Sequence, residues 1–490
     1  MTEHPYIKYG MALVMLENSL RDKSEIHTRH IVDEISKGLR SYRLRPIEDF
    51  YGKETVLFNY TDEDGSAKNY IFLSPHIITT DMQARNVRAS AVNYISDAKA
   101  AKDTFLQKSE KIGMSEIPIV GEFTSFSQTI GRGAAKSTKL KQGLGLVATL
   151  TPYKPSISNA CLIPDLDVKE MIDFIAVFKR LLFVATDSLF VGKVIAEGTK
   201  GDVKYHPKRP KICSGNFPNA PYSSVMGSIA LLGAIGELGK EEEYSEKVRH
   251  VLDSLRERPI YIIRYGDAKS FTFNNCIIEL AKNSKLSSVV DSIYYTRLYN
   301  QEERNWGNKE YEKFDLFTSR FLQLFNRPAF KDFLSFRAEY SNQTEILFTT
   351  YFDKMENIDR TIIKSAKSLG QWLNWVAYKS ATDNTDINLS LQQKKAKTLV
   401  ELESSIFAAK TADALIAQTI TRAGRLSGRD APSETECFIV ATLTGDITLN
   451  VAKNLLIAFS RIKSYIGEDK NIGDNESSKD ISPIEDYSQI

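Results

Sequence analysis

The chain of 490 residues has little of the residue chemistry that marks metal sites and disulfide frameworks. Its four cysteines, Cys161, Cys213, Cys276 and Cys437, are widely spaced and form no Cys-x-x-Cys pair. A structural zinc site needs paired ligands at short spacing, so this pattern predicts reduced, mostly buried thiols of a cytosolic protein. The six histidines form no His-Glu-x-x-His motif, and we expect neither a metal ion nor a cofactor.

The motifs of common hydrolases are also absent. The segment "GRGAAKST" is similar to a nucleotide-binding phosphate loop, but it has Ala135 directly before Lys136, where that loop requires glycine. No Gly-x-Ser-x-Gly elbow and no His-Asp doublet of a metal nuclease occur. We therefore expect a binding protein rather than an enzyme, and the sequence offers no catalytic residue.

The chain lacks a long hydrophobic run that is free of charge. Its most apolar stretch, "MIDFIAVFKRLLFVATDSLFVGKVIA" from Met171, contains Lys179, Arg180 and Asp187. A membrane-spanning helix would not carry these residues at its centre. The N-terminal "MTEHPYIKYG" has no basic-then-apolar signal pattern. Both observations predict a cytoplasmic protein that has no membrane contact.

Charge is distributed unevenly along the chain, although the formal net charge is only +2. After Ile466 the tail "GEDKNIGDNESSKDISPIEDYSQI" contains seven acidic residues and two lysines without hydrophobic periodicity, and we interpret it as disordered. Residues 121–215, in contrast, contain fourteen basic and eight acidic residues. Such an excess of positive charge is typical of a surface that binds nucleic-acid phosphates.

The most basic glycine-rich stretch is "TIGRGAAKSTKLKQGLGLV", from Thr129 to Val147. We predict a loop here, followed by a strand in "GLVATLTPY". Glycines let the backbone approach a phosphate, and lysine and arginine supply the attraction. A solvated loop and a small-anion site remain alternatives. The residues that we predict to contact nucleic acid are Gly131, Arg132, Gly133, Lys136, Lys139, Lys141 and Gly143.

A second basic stretch, "TKGDVKYHPKRPKICSGNFPNAPYSS" from Thr199, contains four prolines and is predicted to be mostly loop. Lysine and arginine in such a loop bind phosphates or guanine edges, and asparagine reads adenine in the major groove. The candidate residues are Lys208, Arg209, Lys211, Asn216 and Asn219.

Amphipathic helical periodicity dominates residues 355–466. We predict one helix after Met355, a long helix from Leu391 to Arg422, and a third helical region from Glu436 to Ile466 with a break at Gly445. Long amphipathic helices with short connections predict a compact bundle. Its basic residues either lie on ordinary solvated faces or hold a nucleic-acid backbone. The candidates are Arg360, Lys364, Lys367, Lys394, Lys395, Lys397, Arg422, Arg425 and Arg429.

These patterns predict an α+β protein in three parts: a mixed body at residues 1–354, an all-α bundle at 355–466 and an acidic tail at 467–490. In the body, "TVLFNY" and "NYIFLS" flank an Asp-Gly turn, which is typical of a β-hairpin. Asp167 followed by Glu170 is typical of a capping box that begins a helix.

This order of parts resembles the large subunit of a type I CRISPR Cascade effector complex, most like subtype I-B. The stretches "NACLIPDLDVKEMIDF" and "AAKTADALIAQTITRAGRL" fit that family, in which a C-terminal bundle corresponds to the small subunit. The resemblance implies a non-catalytic protein that recognises the PAM, a short motif beside the DNA target, helps to open the duplex and stabilises the R-loop. It implies PAM contact for the loop candidates and strand-backbone contact for the bundle candidates.

The resemblance also implies partners. These are crRNA, target double-stranded DNA, the backbone, 5′-end and small subunits of Cascade, and a helicase-nuclease or transposition adaptor that is recruited after R-loop formation. In that family the small subunit can arise by internal translation. Met355 stands almost at the start of the bundle, so we also predict a second product that starts there and folds alone.

Two other hypotheses remain open. The stretch "KQGLGLV" is similar to glycine-rich loops of RAMP-class guide-RNA-binding proteins, which place such a loop at the end of a ferredoxin-like fold and usually lack a C-terminal bundle. Alternatively, the long helices form a protein-interaction scaffold whose positive patches have no nucleic-acid role. Binding of repeat-derived RNA hairpins by the chain alone would favour the first hypothesis, and weak, salt-insensitive binding would favour the second.

Overall fold

The computed structural model of the chain combines α-helices with short antiparallel strands, so the predicted α+β class is confirmed. The predicted acidic tail lies outside the described residues. The structure describes residues 3–41, 43–48, 54–61, 67–70, 81–101, 104–119, 136–157, 160–184, 196–199, 202–205, 216–217, 224–294, 297–298, 338–340 and 342–463.

The described residues of the first two thirds of the chain are mainly helical. Helix α1 (Pro5–Glu17) begins where Nδ1 of His4 accepts the N–H of Tyr6 at 3.0 Å. Burial lowers the pKa of His4 to about 3, so the imidazole is neutral and accepts this bond. The other helices of this part are α2 (Thr28–Ser41), α3 (Asp81–Ala100), α4 (Lys139–Leu150), α5 (Val168–Val184), α6 (Ser224–Leu238), α7 (Glu242–Ser254), α8 (Asn275–Lys282) and α9 (Leu286–Tyr294).

The strands form small antiparallel sheets between these helices. The largest described sheet has four strands in the order Asp267–Thr272, Pro259–Arg264, Ala160–Pro164 and Ser156–Ile157. In this sheet Ile262 lies opposite Leu162. The strands are β1 (Arg43–Glu48), β2 (Glu54–Thr61), β3 (Ala67–Tyr70), β4 (Ser109–Lys111), β5 (Lys136–Thr138), β6 (Ser156–Ile157), β7 (Ala160–Pro164), β8 (Ala196–Thr199), β9 (Asp202–Tyr205), β10 (Pro259–Arg264), β11 (Asp267–Thr272), β12 (Arg297–Leu298) and β13 (Ala338–Glu339).

Two local predictions can be compared with these elements. Strands β2 and β3 pair antiparallel, with Thr61 opposite Ala67, so the predicted hairpin is confirmed. Helix α5 follows Asp167, whose N–H donates to the carboxylate of Glu170 at 3.0 Å. That bond is the glutamate half of the predicted capping box.

Helix α4 lies at the centre of the N-terminal part, in contact with α1 and α2. A Cβ at Gly10 of α1 would lie 2.1 Å from the carbonyl oxygen of Leu144, so the two backbones approach more closely than a side chain permits. All residues from Gln142 to Leu150 are buried. The predicted strand in "GLVATLTPY" is therefore wrong: a helix that is apolar on every side gives the same continuous run as a buried strand.

The described C-terminal part consists of helices, four of which begin with a side-chain cap, from Asp359, Ser390, Thr411 and Thr448. The predicted long helix from Leu391 to Arg422 is two helices, because the chain leaves the helix at Ala409 and Thr411 caps the next one by accepting the N–H of Ala414 at 3.2 Å. The predicted break at Gly445 is confirmed, with φ +85°. The helices are α10 (Glu345–Lys354), α11 (Arg360–Asp383), α12 (Leu391–Ala408), α13 (Ala412–Ser427), α14 (Glu436–Thr444) and α15 (Leu449–Ser460).

The residues just before the predicted bundle pack against it. Tyr340 donates its N–H to the carbonyl of Arg461 at 2.7 Å, and the rings of Phe348 and Phe459 lie 6.3 Å apart. Met355 ends α10, where its N–H donates to Tyr351, and is not the first residue of a bundle helix. The boundary at residue 355 stays a prediction, but these contacts favour a boundary before residue 338.

Candidate nucleic-acid interface

The basic glycine-rich stretch is folded over its described length. Lys136–Thr138 is strand β5, and α4 begins directly after it, with the hydroxyl of Thr138 accepting the N–H of Lys141 at 3.4 Å. Gly143 lies against Tyr94, whose hydroxyl would be 2.3 Å from an added Cβ. This glycine serves helix packing, and the prediction that it lies in a phosphate-binding loop is wrong. Gly131, Arg132 and Gly133 lie outside the described residues.

Two of the predicted lysines are held by carboxylates. Lys139 is 5% exposed and its Nζ lies 2.8 Å from Glu110 and 3.6 Å from Asp97. Lys141 pairs with Glu3 at 3.0 Å. Because a buried charge needs its partner, Lys139 is not available to a nucleic acid in this conformation, and its assignment to an exposed loop is corrected.

Lys136 differs from these two because it is exposed on β5, directly opposite the exposed Lys111 of β4. Like charges at opposed positions of an antiparallel pair repel each other, and neither lysine has an ion pair among the described residues. The chain from 112 to 135, which carries Arg132, joins these two residues. We call Lys111 and Lys136 the lysine ribbon. Sequence reasoning missed Lys111, since only the strand register shows that it faces Lys136.

Of the second predicted basic stretch, the structure describes Thr199 at the end of β8, Asp202–Tyr205 (β9), Asn216, Phe217 and Ser224. Lys208, Arg209, Lys211 and Asn219 lie outside the described residues. Asn216 is buried. Its Oδ1 accepts the N–H of Ser156 at 2.9 Å, and its Nδ2 donates to the carbonyl of Lys154 at 2.8 Å. Both ends of the amide are occupied within the fold, so the interpretation of Asn216 as an adenine reader is corrected.

The predicted cationic face at the start of α11 is partly covered by α10. Arg360 lies 2.9 Å from Asp353, and Lys367 lies 2.6 Å from Glu345. Both carboxylates belong to α10. Lys364 lies between Arg360 and Lys367 along α11. It is exposed and has no ion pair in the described part of the chain. The three residues were predicted to share one face, and only Lys364 stays uncommitted on it.

The other bundle candidates also divide into residues that have a partner within the fold and residues that have no carboxylate partner in its described part. Lys395 pairs with Glu339, which is largely buried, and Lys394 donates to the carbonyl of Asn384 at 2.7 Å. Arg422 pairs with Glu401 at 3.3 Å. The remaining candidates are exposed and have no carboxylate partner within the described ranges: Lys397, Arg425 and Arg429.

The family model for CRISPR-associated protein Csp2 matches residues 4–463, which is nearly the whole chain. The chain belongs to this family. Csp2 is a family of type I CRISPR systems. The match contains the lysine ribbon and all the bundle candidates, whereas residues 464–490 lie beyond it. No curated protein and no solved structure matches this Csp2 chain significantly.

Among the described residues, no group of three or more histidine, cysteine, aspartate or glutamate side chains is placed to hold a metal ion. None of the described helices is both long and apolar enough to cross a membrane. Cys161 and Cys276 are buried free thiols, and Cys437 is an exposed one.

Proposed function

We propose that this Csp2 chain is the large, non-catalytic subunit of a Cascade-type, crRNA-guided complex, and that it acts by binding nucleic acid. In this role it contacts the PAM, helps to open the target duplex and stabilises the R-loop. Membership of a type I CRISPR family supports the assignment to an effector complex. The lysine ribbon is the observation that favours direct contact with DNA.

The ribbon suits a phosphate-lined groove for a physical reason. A two-stranded β-ribbon is narrow enough to enter the major groove of B-form DNA. Lys111 and Lys136 are exposed and opposed on β4 and β5, so they repel each other in the free protein. A phosphate placed between them removes that repulsion and releases counterions. The basic segment that carries Arg132 leaves the ribbon at this end.

The bundle supplies a second set of contacts. Lys364, Lys397 and Arg425 are exposed cations without ion pairs in the part that the structure describes. We assign them to the backbone of a strand in the R-loop. The partners are crRNA, target DNA, the other Cascade subunits and a helicase-nuclease or transposition adaptor, all in the cytoplasm.

The RAMP-class alternative loses its main support. The stretch "KQGLGLV" on which it was based lies within α4, and its residues from Gln142 to Val147 are buried. A buried helix cannot present a glycine-rich loop to a guide RNA.

The test is to purify the tagged full-length chain from its native cells and to sequence the RNA and identify the proteins that accompany it. We expect short RNAs of uniform length with repeat-derived ends, together with other Cas proteins. Short RNA that also stays bound to the isolated, partner-free chain would point to the RAMP class instead. Partner proteins without RNA would overturn the proposal and favour the scaffold.

A further inference from the structure

A partly exposed cluster of aromatic and cationic side chains lies where the second half of α11 meets the end of α13. Trp375, Tyr378 and Lys379 share one face of α11, since they are three and four residues apart. Arg425 and Arg429 lie at and just beyond the last turn of α13. We call these five residues the tryptophan patch.

The cations are arranged around the indole ring. The guanidinium of Arg429 lies 5.1 Å from the ring centroid of Trp375, and Nζ of Lys379 lies 5.8 Å from it. Both distances are within the range of a cation–π interaction. Arg429 is an exposed residue, so its planar guanidinium, held beside the indole, is still accessible to a planar ligand.

The end of α13 fixes this arrangement. Gly428 has φ +65°, the left-handed conformation that ends a helix, and its N–H donates to Gly424 at 2.8 Å. The next residue, Arg429, is thereby directed toward α11 and donates its N–H to the hydroxyl of Ser427 at 3.2 Å. Lys379 donates to the carbonyl of Ser427 at 3.0 Å. The patch is thus part of the helix packing rather than a set of mobile surface chains.

The cations of the patch have no carboxylate partner in the part of the chain that the structure describes. Lys379, Arg425 and Arg429 form no ion pair with any carboxylate among the described residues, whereas Arg422, one turn before Arg425, pairs with Glu401. Tyr378 is 45% exposed, so its ring contributes little to the core. An exposed aromatic ring on the same surface as cations without a carboxylate partner is a combination that binds single-stranded nucleic acid.

We propose that the tryptophan patch is a stacking site for an unpaired base of a single nucleic-acid strand. The base stacks on Tyr378 and on the outer face of the Arg429 guanidinium, and Lys379 and Arg425 bind the flanking phosphates. Double-stranded DNA has no free base to offer, so the patch selects opened strands. This site rests on the proposed function, which requires that the chain meets such a strand.

An acidic protein segment is the competing ligand, because it would also satisfy the three cations. The aromatic rings favour the nucleic acid. Stacking on the flat faces of Tyr378 and the Arg429 guanidinium requires a planar partner, and a carboxylate side chain supplies none. The two ligands therefore differ in whether the interaction depends on a planar group, and the experiment below uses this difference.

The experiment measures how tightly the full-length chain binds two fluorescent single strands of about 12 nucleotides. One strand is oligo-deoxyadenosine, and the other is an abasic strand with the same phosphates. We expect the wild-type chain to bind the strand with bases more tightly. Tyr378→Leu and the charge-preserving Arg429→Lys should weaken its binding by about 5- to 30-fold and leave binding of the abasic strand unchanged.

The matched control is Lys410→Gln, which removes an exposed cation at the opposite end of α13. It should change the binding of both strands by the same factor. Equal wild-type affinity for the two strands, or equal losses in the Tyr378→Leu and Arg429→Lys variants, would overturn the stacking site and leave the proposed function standing. Equally strong competition by polyglutamate would overturn it in favour of an acidic peptide. Binding of neither strand would count against both proposals.

Discussion

Lys154 is completely buried, and no carboxylate among the residues that the structure describes pairs with it. Its Nζ donates to the carbonyls of Thr149 at 2.8 Å and Thr151 at 3.0 Å, just after α4. Carbonyl groups stabilise an ammonium ion less than a carboxylate does, and burial lowers the pKa of Lys154 to about 7. The charged lysine therefore costs folding free energy at neutral pH.

This cost predicts that stability rises with pH. The unfolded lysine keeps its proton up to its ordinary pKa of 10.5, and the folded one loses it above about pH 7. The unfolded state therefore binds more protons, so the free energy of unfolding increases by about 1 to 2 kcal/mol between pH 7 and about pH 8.5. Urea unfolding of the wild type and of Lys154→Met at both pH values measures the effect.

The wild type and the variant are compared by how much their free energy of unfolding changes with pH, not by its absolute value. Lys154→Met also removes two hydrogen bonds, but this loss does not depend on pH. Unfolded Cys161 has an ordinary pKa of 9.0 and begins to ionise by pH 8.5, whereas burial raises the pKa of that thiol to about 12 in the folded chain. This opposing contribution is present in both the wild type and the variant, so the comparison between them removes it. If the free energy of unfolding changed with pH by the same amount in the wild type and in Lys154→Met, Lys154 would have the same charge in the folded and the unfolded chain. That result would contradict the prediction.

Strand β13 and helix α10 pack against the helices that follow them in the chain. The carbonyl of Tyr340 accepts the N–H of Lys463 at 3.0 Å, so the residue directly after β13 pairs with the chain directly after α15. The neighbouring Arg461 is fully buried and forms two hydrogen bonds with Glu403 at 2.7 and 2.8 Å. Breaking such a buried pair costs about 3 to 5 kcal/mol, so the junction tolerates little change.

We predict that a fragment 338–463 is more stable than a fragment 355–463. The shorter fragment loses Phe348 and Phe352, both buried, and exposes the ring of Phe459. Each buried aromatic side chain contributes about 2 to 3 kcal/mol, so the melting temperature should fall by at least about 15 °C. Thermal unfolding followed by circular dichroism measures this difference.

A matched control separates chain length from packing. The 338–463 fragment with Phe348→Ser and Phe352→Ser keeps its length and should melt like the shorter fragment. Equal melting temperatures for the two unmodified fragments would show that α10 adds no stability. In that case a product starting at Met355 would fold as well as the sequence predicted.

Whether a helix or strand can be predicted from the sequence depends on whether one of its faces contacts water. Helix α11 alternates buried Leu369 and Leu373 with exposed polar residues, so its periodicity was visible in the sequence. Helix α4 is buried all round and has no such contrast, and it was predicted to be a strand. The same rule holds for the candidate site. The exposed Lys364 is a surface cation, as its helical spacing predicts. Lys139, in contrast, pairs with Glu110 and Asp97, and no local sequence pattern connects these carboxylates to it.

At the scale of the whole molecule, two groups of uncommitted cations lie in distant parts of the chain. Lys111 and Lys136 belong to the body, and Lys364 and Lys397 belong to the bundle. All four lie within the Csp2 match. If the chain is one subunit on one R-loop, both groups should contact the same nucleic acid at the same time, and their contributions to the salt dependence should add.

We therefore predict the salt dependence of target binding by the purified guide complex. Each phosphate contact contributes about 0.7 to 0.9 to the slope of log K against log salt concentration. Lys111→Gln with Lys136→Gln should reduce the slope by about 1.4 to 1.8, Lys364→Gln with Lys397→Gln by the same amount, and all four by the sum. The control is Lys247→Gln on α7 with Lys240→Gln just before it, which removes equal charge from exposed sites and should leave the slope unchanged. An effect confined to one pair would mean that the other group holds a different partner, and an unchanged slope in all variants would count against nucleic-acid contact at either surface.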